Sequence, residues 1–369
     1  MRKFFTAVVM IPLGLIFIIF AVANRHWVTV SFDPFNSTTP VVAVTLPLFV
    51  VIIASAILGV LAGGVATWNT ALDSEFAFQQ LLDPAVQVVN ITNPTANLTS
   101  AEQAVTAAQQ TPQGQARIAL AAALGDTPGW FTPLSAEPAR TDYAAQEQNQ
   151  LLWDTQVDFP FVFAFRAELE ARAGGNPSWT TGVNYFAQLR NSADYQEVAH
   201  LYRAAGLSLR ADLTRISRAA PVHADPAAVH YLARNISFTG RISVPVLSMH
   251  TTGDGLVVPE NEQAYARVVD RAGNGRLLRQ IFVSRAGHCA FTPAETVTAV
   301  QVLLSRLSTG RWDDRALQTA RLNASAAALG PQFNIFSSGG QVVPVAPAFT
   351  AFRPTPYPRP FDLGGFFRW

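Results

Sequence analysis

The chain has 369 residues, 49% hydrophobic and only 14% charged, whereas a disordered chain needs high charge and low hydrophobicity, so this composition excludes disorder. Lys and Arg total 26 against 25 Asp and Glu, and the resulting net charge of +1 excludes a strongly basic nucleic-acid binder. Cys289 is the one cysteine, which excludes an intramolecular disulfide framework and a cysteine-rich zinc site.

Two long apolar stretches near the amino terminus predict a pair of membrane-spanning helices. No charged residue lies between Phe4 and Ala23, and at about 1.5 Å per residue a helix of that length matches the bilayer hydrocarbon, about 30 Å thick. A second such stretch covers residues 46–66. Arg2 and Lys3 precede the first span and favour a cytoplasmic amino terminus. The sequence thus predicts a membrane protein with the lipid bilayer as a partner and a cytoplasmic C-terminal region.

Each stretch also fits another interpretation. The basic residues before the first stretch, and residues 21–23 with their A-x-A form, are typical of a cleaved signal peptide. The second stretch also fits a helix buried in a protein core. Between the two, residues 27–32 alternate between apolar and polar side chains and then meet Asp33 and Pro34, which predicts a short strand-like loop.

This amino-terminal region carries a telling motif, N-R-x-x-V-x-x-S-x-D-P-F, from Asn24 to Phe35. With the apolar runs on either side, residues 1–68 resemble the lipopolysaccharide assembly protein A (LapA) domain. The resemblance implies a two-helix domain in the bacterial inner membrane that acts in envelope assembly with other envelope-assembly proteins. Members of that family usually continue into a basic helical tail, whereas residues 69–75 here are neither basic nor heptad-like.

Residues 69–240 are predicted to be mostly helical. Ser100 and Gln103 have the spacing of a capping box, and Asp225 followed by Pro226 is a strong helix start. Further helices are predicted over residues 115–123, 141–173 with an interruption near Pro160, 193–205 and 226–234.

The pattern changes after residue 240. The apolar runs 244–250 and 277–284 predict two buried parallel strands, with a helix over 260–272 between them. A capping box at residues 292–295 begins a last helix. One face of that helix carries Val297, Val300, Leu303, Leu304 and Leu307.

This order of strand, loop, helix, strand, loop and helix resembles the C-terminal end of an α/β-hydrolase. Gly253 and Asp254 match the acid loop of that superfamily, and Gly287 and His288 match its base loop. The resemblance implies that the carboxylate of Asp254 orients the imidazole of His288, which takes the proton of a nucleophile. The helical block then corresponds to the cap that is inserted before the late strands.

The nucleophile elbow of that superfamily, G-x-S-x-G, does not occur in this sequence. Ser208, in Gly206-Leu207-Ser208, lies between two helical segments and is interpreted as a helix cap. Cys289 follows the base instead of preceding the acid, which disfavours it as a substitute nucleophile. The segment 63–68, GGVATW, fits both the end of a LapA-type span and the segment after the elbow in some bacterial α/β-hydrolases, which favours a gene fusion or an assembly chimera.

The predicted architecture is therefore a membrane helical hairpin (two transmembrane helices) followed by a truncated α/β-hydrolase-like region with a mostly helical cap and two late parallel strands. Its parts are residues 1–68, 69–240, 241–330 and a Pro- and Phe-rich tail, 331–369. The predicted function is a membrane-anchored, catalytically inactive hydrolase-like protein with Asp254 and His288 as residual acid and base. The alternatives are a LapA-like assembly protein and an active serine hydrolase of ester or peptide bonds that uses an unrecognised serine. No cofactor, metal or nucleic acid is expected.

Overall fold

The computed structural model describes residues 27–31, 43–47, 64–235, 238–338 and 341–358. The chain divides into two compact units, Met1–Gly64 and Val65–Trp369. In the first unit, β1 (Trp27–Ser31) pairs antiparallel with β2 (Ala43–Pro47), with Trp27 opposite Pro47 and Ser31 opposite Ala43. The segment predicted to be a short strand-like loop therefore contains a strand, β1, and this strand has a partner that the sequence pattern did not indicate.

The prediction of a membrane helical hairpin is wrong for the part of the chain that the structure describes. Among those residues, no helix is both long and apolar enough to cross a bilayer. Residues 46–47, which open the second predicted span, belong to β2, and the last residues of that span begin α1 (Gly64–Leu81). The first predicted span, 4–23, and residues 48–63 lie outside the described residues. The inner-membrane localisation depended on those two helices and is corrected with them.

Helices fill the second unit up to residue 235. After α1 come α2 (Pro94–Ala108), α3 (Pro112–Gly125), α4 (Tyr143–Trp153), α5 (Phe159–Ala173), α6 (Tyr185–Asn191), α7 (Tyr195–Ala204), α8 (Leu209–Arg218) and α9 (Pro226–Asn235). The side chain of Asn93 caps α2 and that of Thr111 caps α3, and each cap is followed by proline at the first helical position. Both starts satisfy backbone N–H groups that would otherwise have no partner.

The core of the helical part is built on α3. All residues from Ile118 to Leu124 in this helix are buried, and Val198 and Tyr202 of α7 belong to the same apolar cluster. A helix that is apolar on every face is stable only when neighbours cover all of it, so its alanine-rich sequence places α3 at the centre.

A π-helical turn, Asp154–Asp158, joins α4 to α5. It lies where the sequence predicts an interruption near Pro160, which occupies the first turn of α5. Proline lacks a backbone N–H and clashes with the preceding turn, so an irregular turn before it is the expected local response.

The sheet of the second unit has three described strands in the order β3–β4–β7. Its members are β3 (Val246–Gly253), β4 (Leu278–Ala286) and β7 (Phe349–Thr350). The two predicted late strands are present and parallel, with Val246 opposite Leu278. The expectation of only two strands is wrong, because β7 from the tail pairs antiparallel with β4 through Phe282 and Val283.

The remaining elements surround this sheet. They are α10 (Glu260–Arg271), a short 3₁₀ turn (Gly275–Leu277), α11 (Pro293–Thr309), α12 (Thr319–Ala328) and the hairpin of β5 (Ile335–Ser338) with β6 (Gln341–Pro344). The apolar face that the sequence shows on α11 is largely exposed, since Val300, Leu304 and Leu307 are 50%, 57% and 57% accessible. This helix instead buries the small and polar residues of its first turns, among them Glu295.

Candidate active site

Asp254 follows directly on the last residue of β3. Its side chain is buried, and its Oδ1 accepts a hydrogen bond of 3.0 Å from the backbone N–H of Val257, three residues further on. An aspartate that accepts from its own loop in this way fixes the turn and leaves its other oxygen free to point elsewhere.

His288 lies in the loop after β4, and its ring meets the second oxygen of Asp254. The distance from His288 Nδ1 to Asp254 Oδ2 is 2.8 Å. The acid is almost fully enclosed, whereas about a third of the histidine side chain, 34%, is exposed. The structure therefore brings together the two site residues that the sequence singled out, with the imidazole on the solvent side of the pair.

The two loops are joined by the backbone where the parallel strands end. The N–H of Gly287 donates to the carbonyl of Gly253 at 2.9 Å, and the hydroxyl of Thr251 donates to the carbonyl of Gly287 at 2.7 Å. Because parallel strands end at the same edge of a sheet, an acid after β3 and a base after β4 become neighbours.

The carboxylate of Asp254 changes the proton affinity of the imidazole. The pKa of His288 is raised from 6.5 to about 10, first by its hydrogen bond to Asp254 and then by its contact with Cys289, while burial opposes both effects. An imidazole held by a buried carboxylate is a stronger base in a defined tautomer, which is the requirement for taking a proton from a nucleophile.

The thiol of Cys289 occupies the other side of the ring, at 3.6 Å from His288 Nε2. Its backbone has a φ of +53°, a conformation that residues other than glycine seldom adopt. Sequence order disfavoured this cysteine as a nucleophile, but the structure places its sulfur at the ring nitrogen through which a triad base works. This contact could not be predicted from the sequence, because it depends on the left-handed backbone of Cys289, which turns its thiol toward the ring of His288.

Ser208, the serine that the sequence analysis considered, caps α8. Its side chain accepts a hydrogen bond of 3.2 Å from the N–H of Ala211, and it makes none with His288. Within the described part of the chain, no serine hydroxyl is hydrogen-bonded to the ring of His288.

Aromatic side chains brace the acid loop from the helical part. Trp153 packs so closely on Gly255 that a Cβ added there would lie 2.4 Å from the indole. The Trp153 indole N–H donates to the carbonyl of Trp130 at 2.9 Å, and Phe131 meets the Trp153 ring edge-on with centroids 5.0 Å apart. Sequence reasoning missed these residues, since nothing in the local pattern ties α4 to the loop after β3.

Two carboxyl groups of the π-helical turn, Asp154 and Asp158, lie in the same region. Burial, followed by the charges of Asp154 and Asp254, raises the pKa of Asp158 well above its usual range. Burial, with the charges of Glu147 and Glu75, raises the pKa of Asp154 to about 8. Burial thus disfavours the charged form of both groups beside the Asp254 carboxylate.

No set of three or more His, Cys, Asp or Glu residues within the described ranges is arranged to hold a metal ion. The arrangement of Asp254, His288 and Cys289 can instead move a proton and present a nucleophile. These are the parts that acyl transfer needs.

Comparison with known proteins yields a curated relative that is named as an amidase. The chain is 31% identical over 252 residues to an o-phthalyl amidase from Xanthobacter agilis, a match that covers 65% of this chain and 54% of that protein. The chain thus spans about half of the length of the curated relative that it matches. No family model matches the chain, neither one for LapA domains nor one for α/β-hydrolases. No solved structure matches it either.

Proposed function

We propose that this chain is a hydrolase that cleaves amide or ester bonds by acyl transfer, with Asp254 and His288 as its acid–base pair. The observation that carries the proposal is the 2.8 Å hydrogen bond between the buried carboxylate and the partly exposed imidazole at the ends of two parallel strands. The similarity to an amidase supports the same class of reaction.

In this reaction His288 Nε2 takes the proton of the nucleophile as its oxygen or sulfur attacks the acyl carbon. The imidazolium then returns that proton to the departing amine or alcohol, which leaves an acyl-enzyme. Water repeats the sequence: its proton goes to Nε2, its oxygen bonds to the acyl carbon, and the acid is released with the nucleophile reprotonated. The carboxylate of Asp254 holds the ring through Nδ1 and stabilises the imidazolium.

The first nucleophile to test is Cys289, because its sulfur lies 3.6 Å from Nε2, the ring nitrogen that takes the proton of the nucleophile. A serine that labels with a fluorophosphonate would replace Cys289 in this role without changing the roles of Asp254 and His288.

The test is hydrolysis of 4-nitrophenyl acetate and of an aryl amide by the purified full chain. We expect turnover by the wild type and a loss of about 100-fold or more in kcat/KM for His288→Ala and for Asp254→Asn. The matched control is His223→Ala, which removes a histidine that is hydrogen-bonded to Thr181 in the helical part. This control is expected to leave the rate unchanged.

One further variant tests the identity of the nucleophile. If Cys289 is acylated, Cys289→Ala abolishes the acyl-enzyme that intact-mass spectrometry detects with the wild type. A wild type no faster than buffer, or a His288→Ala variant as active as the wild type, would overturn the proposal.

A further inference from the structure

The loop that carries His288 closes on a buried ion pair. Arg285, near the end of β4, lies before the loop, and Glu295, in the first turn of α11, lies after it. Arg285 Nη1 donates to Glu295 Oε2 at 2.7 Å, and Arg285 Nη2 donates to Glu295 Oε1 at 3.0 Å. Each of the two guanidinium nitrogens thus binds one oxygen of the carboxylate. The side chains are only 4% and 0% exposed. A bidentate pair shielded from water fixes both partners in direction as well as in distance.

The same two side chains also hold the backbone of the loop. Arg285 Nη1 donates to the carbonyl of Ala290 at 2.7 Å. Glu295 Oε2 accepts from the N–H of Thr292 at 2.8 Å, and Oε1 accepts from the N–H of Ala348 at 2.9 Å. The ion pair therefore holds the backbone of the segment that follows His288 as well as the two side chains themselves.

The loop needs such support because of its backbone. The residues on either side of His288 both have positive φ angles, +100° for Gly287 and +53° for Cys289. A left-handed conformation at a residue with a Cβ persists only where the surrounding structure determines it. Gly287 is held by β3 through Gly253 and Thr251, whereas the segment after His288 is held by Arg285 through Ala290.

We propose that Arg285 and Glu295 are positioning residues for His288, which set the direction of its ring toward Asp254 without touching the reacting atoms. This inference rests on the proposed function for its consequence in catalysis, but the geometry that it describes can be measured without turnover. A merely structural ion pair would stabilise α11 and β4 and leave the ring of His288 where it is.

The decisive variant replaces both charges, Arg285→Met with Glu295→Met. Removing one partner alone leaves a buried charge without its counterion and threatens folding, whereas an apolar pair of similar size is often tolerated. The double variant keeps the core filled but removes the hydrogen bond to Ala290. The matched control is Arg117→Met with Asp212→Met, which removes a 2.9 Å ion pair between α3 and α8.

The readout is the pKa of His288 from NMR titration of histidine-labelled protein, with the signal assigned by its loss in His288→Gln. We expect the pKa to fall by at least one unit in the Arg285/Glu295 double variant and to stay unchanged in the Arg117/Asp212 control. Arg285→Lys, which can keep one hydrogen bond, is expected to recover part of the shift. Circular dichroism verifies that each variant is folded.

A folded double variant with an unchanged His288 pKa would overturn the inference. If that variant fails to fold, Arg285→Lys decides in its place, since an unchanged pKa there contradicts a positioning role for the guanidinium. Failure of the hydrolase proposal is recognised separately, as a wild type with the raised His288 pKa but no turnover.

Discussion

Gly253 and Ala286 face each other at the last paired position of β3 and β4, and each is followed within two residues by a member of the candidate site. The strands approach closely here: a Cβ on Gly253 would lie 3.1 Å from the Cα of Ala286. This close approach lets the Gly287 N–H reach the Gly253 carbonyl, and it places Asp254 and His288 in hydrogen-bond contact. The geometry of the pair is thus a consequence of strand register.

The first prediction concerns the proton affinity of His288. Because Asp254 is the largest cause of the raised pKa, about 10, Asp254→Asn is expected to lower that pKa by about two units or more in an NMR titration. A histidine whose pKa is raised on folding stabilises the fold fully below the unfolded value, 6.5, and this contribution is lost as the pH rises through about 10.

The stability difference between wild type and Asp254→Asn in urea unfolding is therefore expected to be largest near pH 6 and to shrink toward pH 10. His223→Ala serves as the control for the loss of an unrelated histidine. A stability difference that does not change between these pH values would contradict the assignment of the shift to the Asp254–His288 contact.

The local parts of the site were accessible from sequence, because they depend on short patterns. Runs of β-branched and aliphatic residues predicted β3 and β4, and the glycine-containing loops after them placed Asp254 and His288 at the strand ends. The capping box at Thr292 and Glu295 was also predicted, and it is formed. All of these features arise from interactions within a few residues along the chain.

What sequence reasoning missed depends on long-range contacts or on backbone conformation. The pairing of β7 with β4, the packing of Trp153 on Gly255 and the pair of Arg285 with Glu295 leave no local periodic trace. The prediction of a membrane span over 46–66 was wrong for its described residues, because an apolar run by itself does not separate a membrane span from a strand or another helix. Its described ends belong to β2 and α1 instead.

The second prediction concerns Gly255 and the wall behind the acid loop. Gly255→Ala is expected to lower the free energy of unfolding by about 1–3 kcal/mol, since its Cβ would lie 2.4 Å from the Trp153 indole and no flexible group is present to give way. The strain displaces the Asp254 loop, so kcat is expected to fall as well. Both quantities follow from urea unfolding and the ester assay.

A suitable control for this substitution is Gly310→Ala, at the end of α11. The added Cβ meets nothing within 4 Å there, although the residue has a φ of +72°. We expect a cost of about 1 kcal/mol from the backbone alone and no change in kcat. Equal effects of the two substitutions on kcat would show that Trp153 does not support the acid loop.

The third prediction follows from a carboxyl group buried between α4 and α7. Burial, followed by the charge of Asp194, raises the pKa of Glu197 to about 9. The unfolded chain ionises this group near 4.5, so it binds fewer protons than the folded chain between these two values. Stability is therefore expected to fall as the pH rises from about 4.5 toward about 9, and this loss should be absent for a side chain that does not ionise.

Glu197→Gln is expected to raise the free energy of unfolding relative to wild type by about 1–3 kcal/mol at pH 8 and by much less at pH 5, since each pKa unit corresponds to about 1.4 kcal/mol. The amide keeps an oxygen that can accept the hydrogen bond now donated by Gln150. Glu102→Gln, at an exposed position of α2, is the control and should change stability equally at both pH values. An identical effect of Glu197→Gln at pH 5 and pH 8 would contradict a buried, uncharged Glu197.

The last prediction concerns how the tail is held to the sheet. The side-chain amide of Asn323 in α12 pairs with both backbone groups of Phe349, as a neighbouring strand would. Its Nδ2 donates to the Phe349 carbonyl at 2.9 Å, and its Oδ1 accepts from the Phe349 N–H at 2.8 Å. Asn323→Ala leaves both backbone groups without this partner and is expected to lower the free energy of unfolding by about 1–3 kcal/mol.

Since the neighbouring N–H of Ala348 binds Glu295, release of β7 would also loosen the His288 loop. Faster proteolysis after residue 345, together with a lowered His288 pKa in the NMR titration, is the expected result. The same proteolysis without any change at His288 would show that β7 and the base loop are independent.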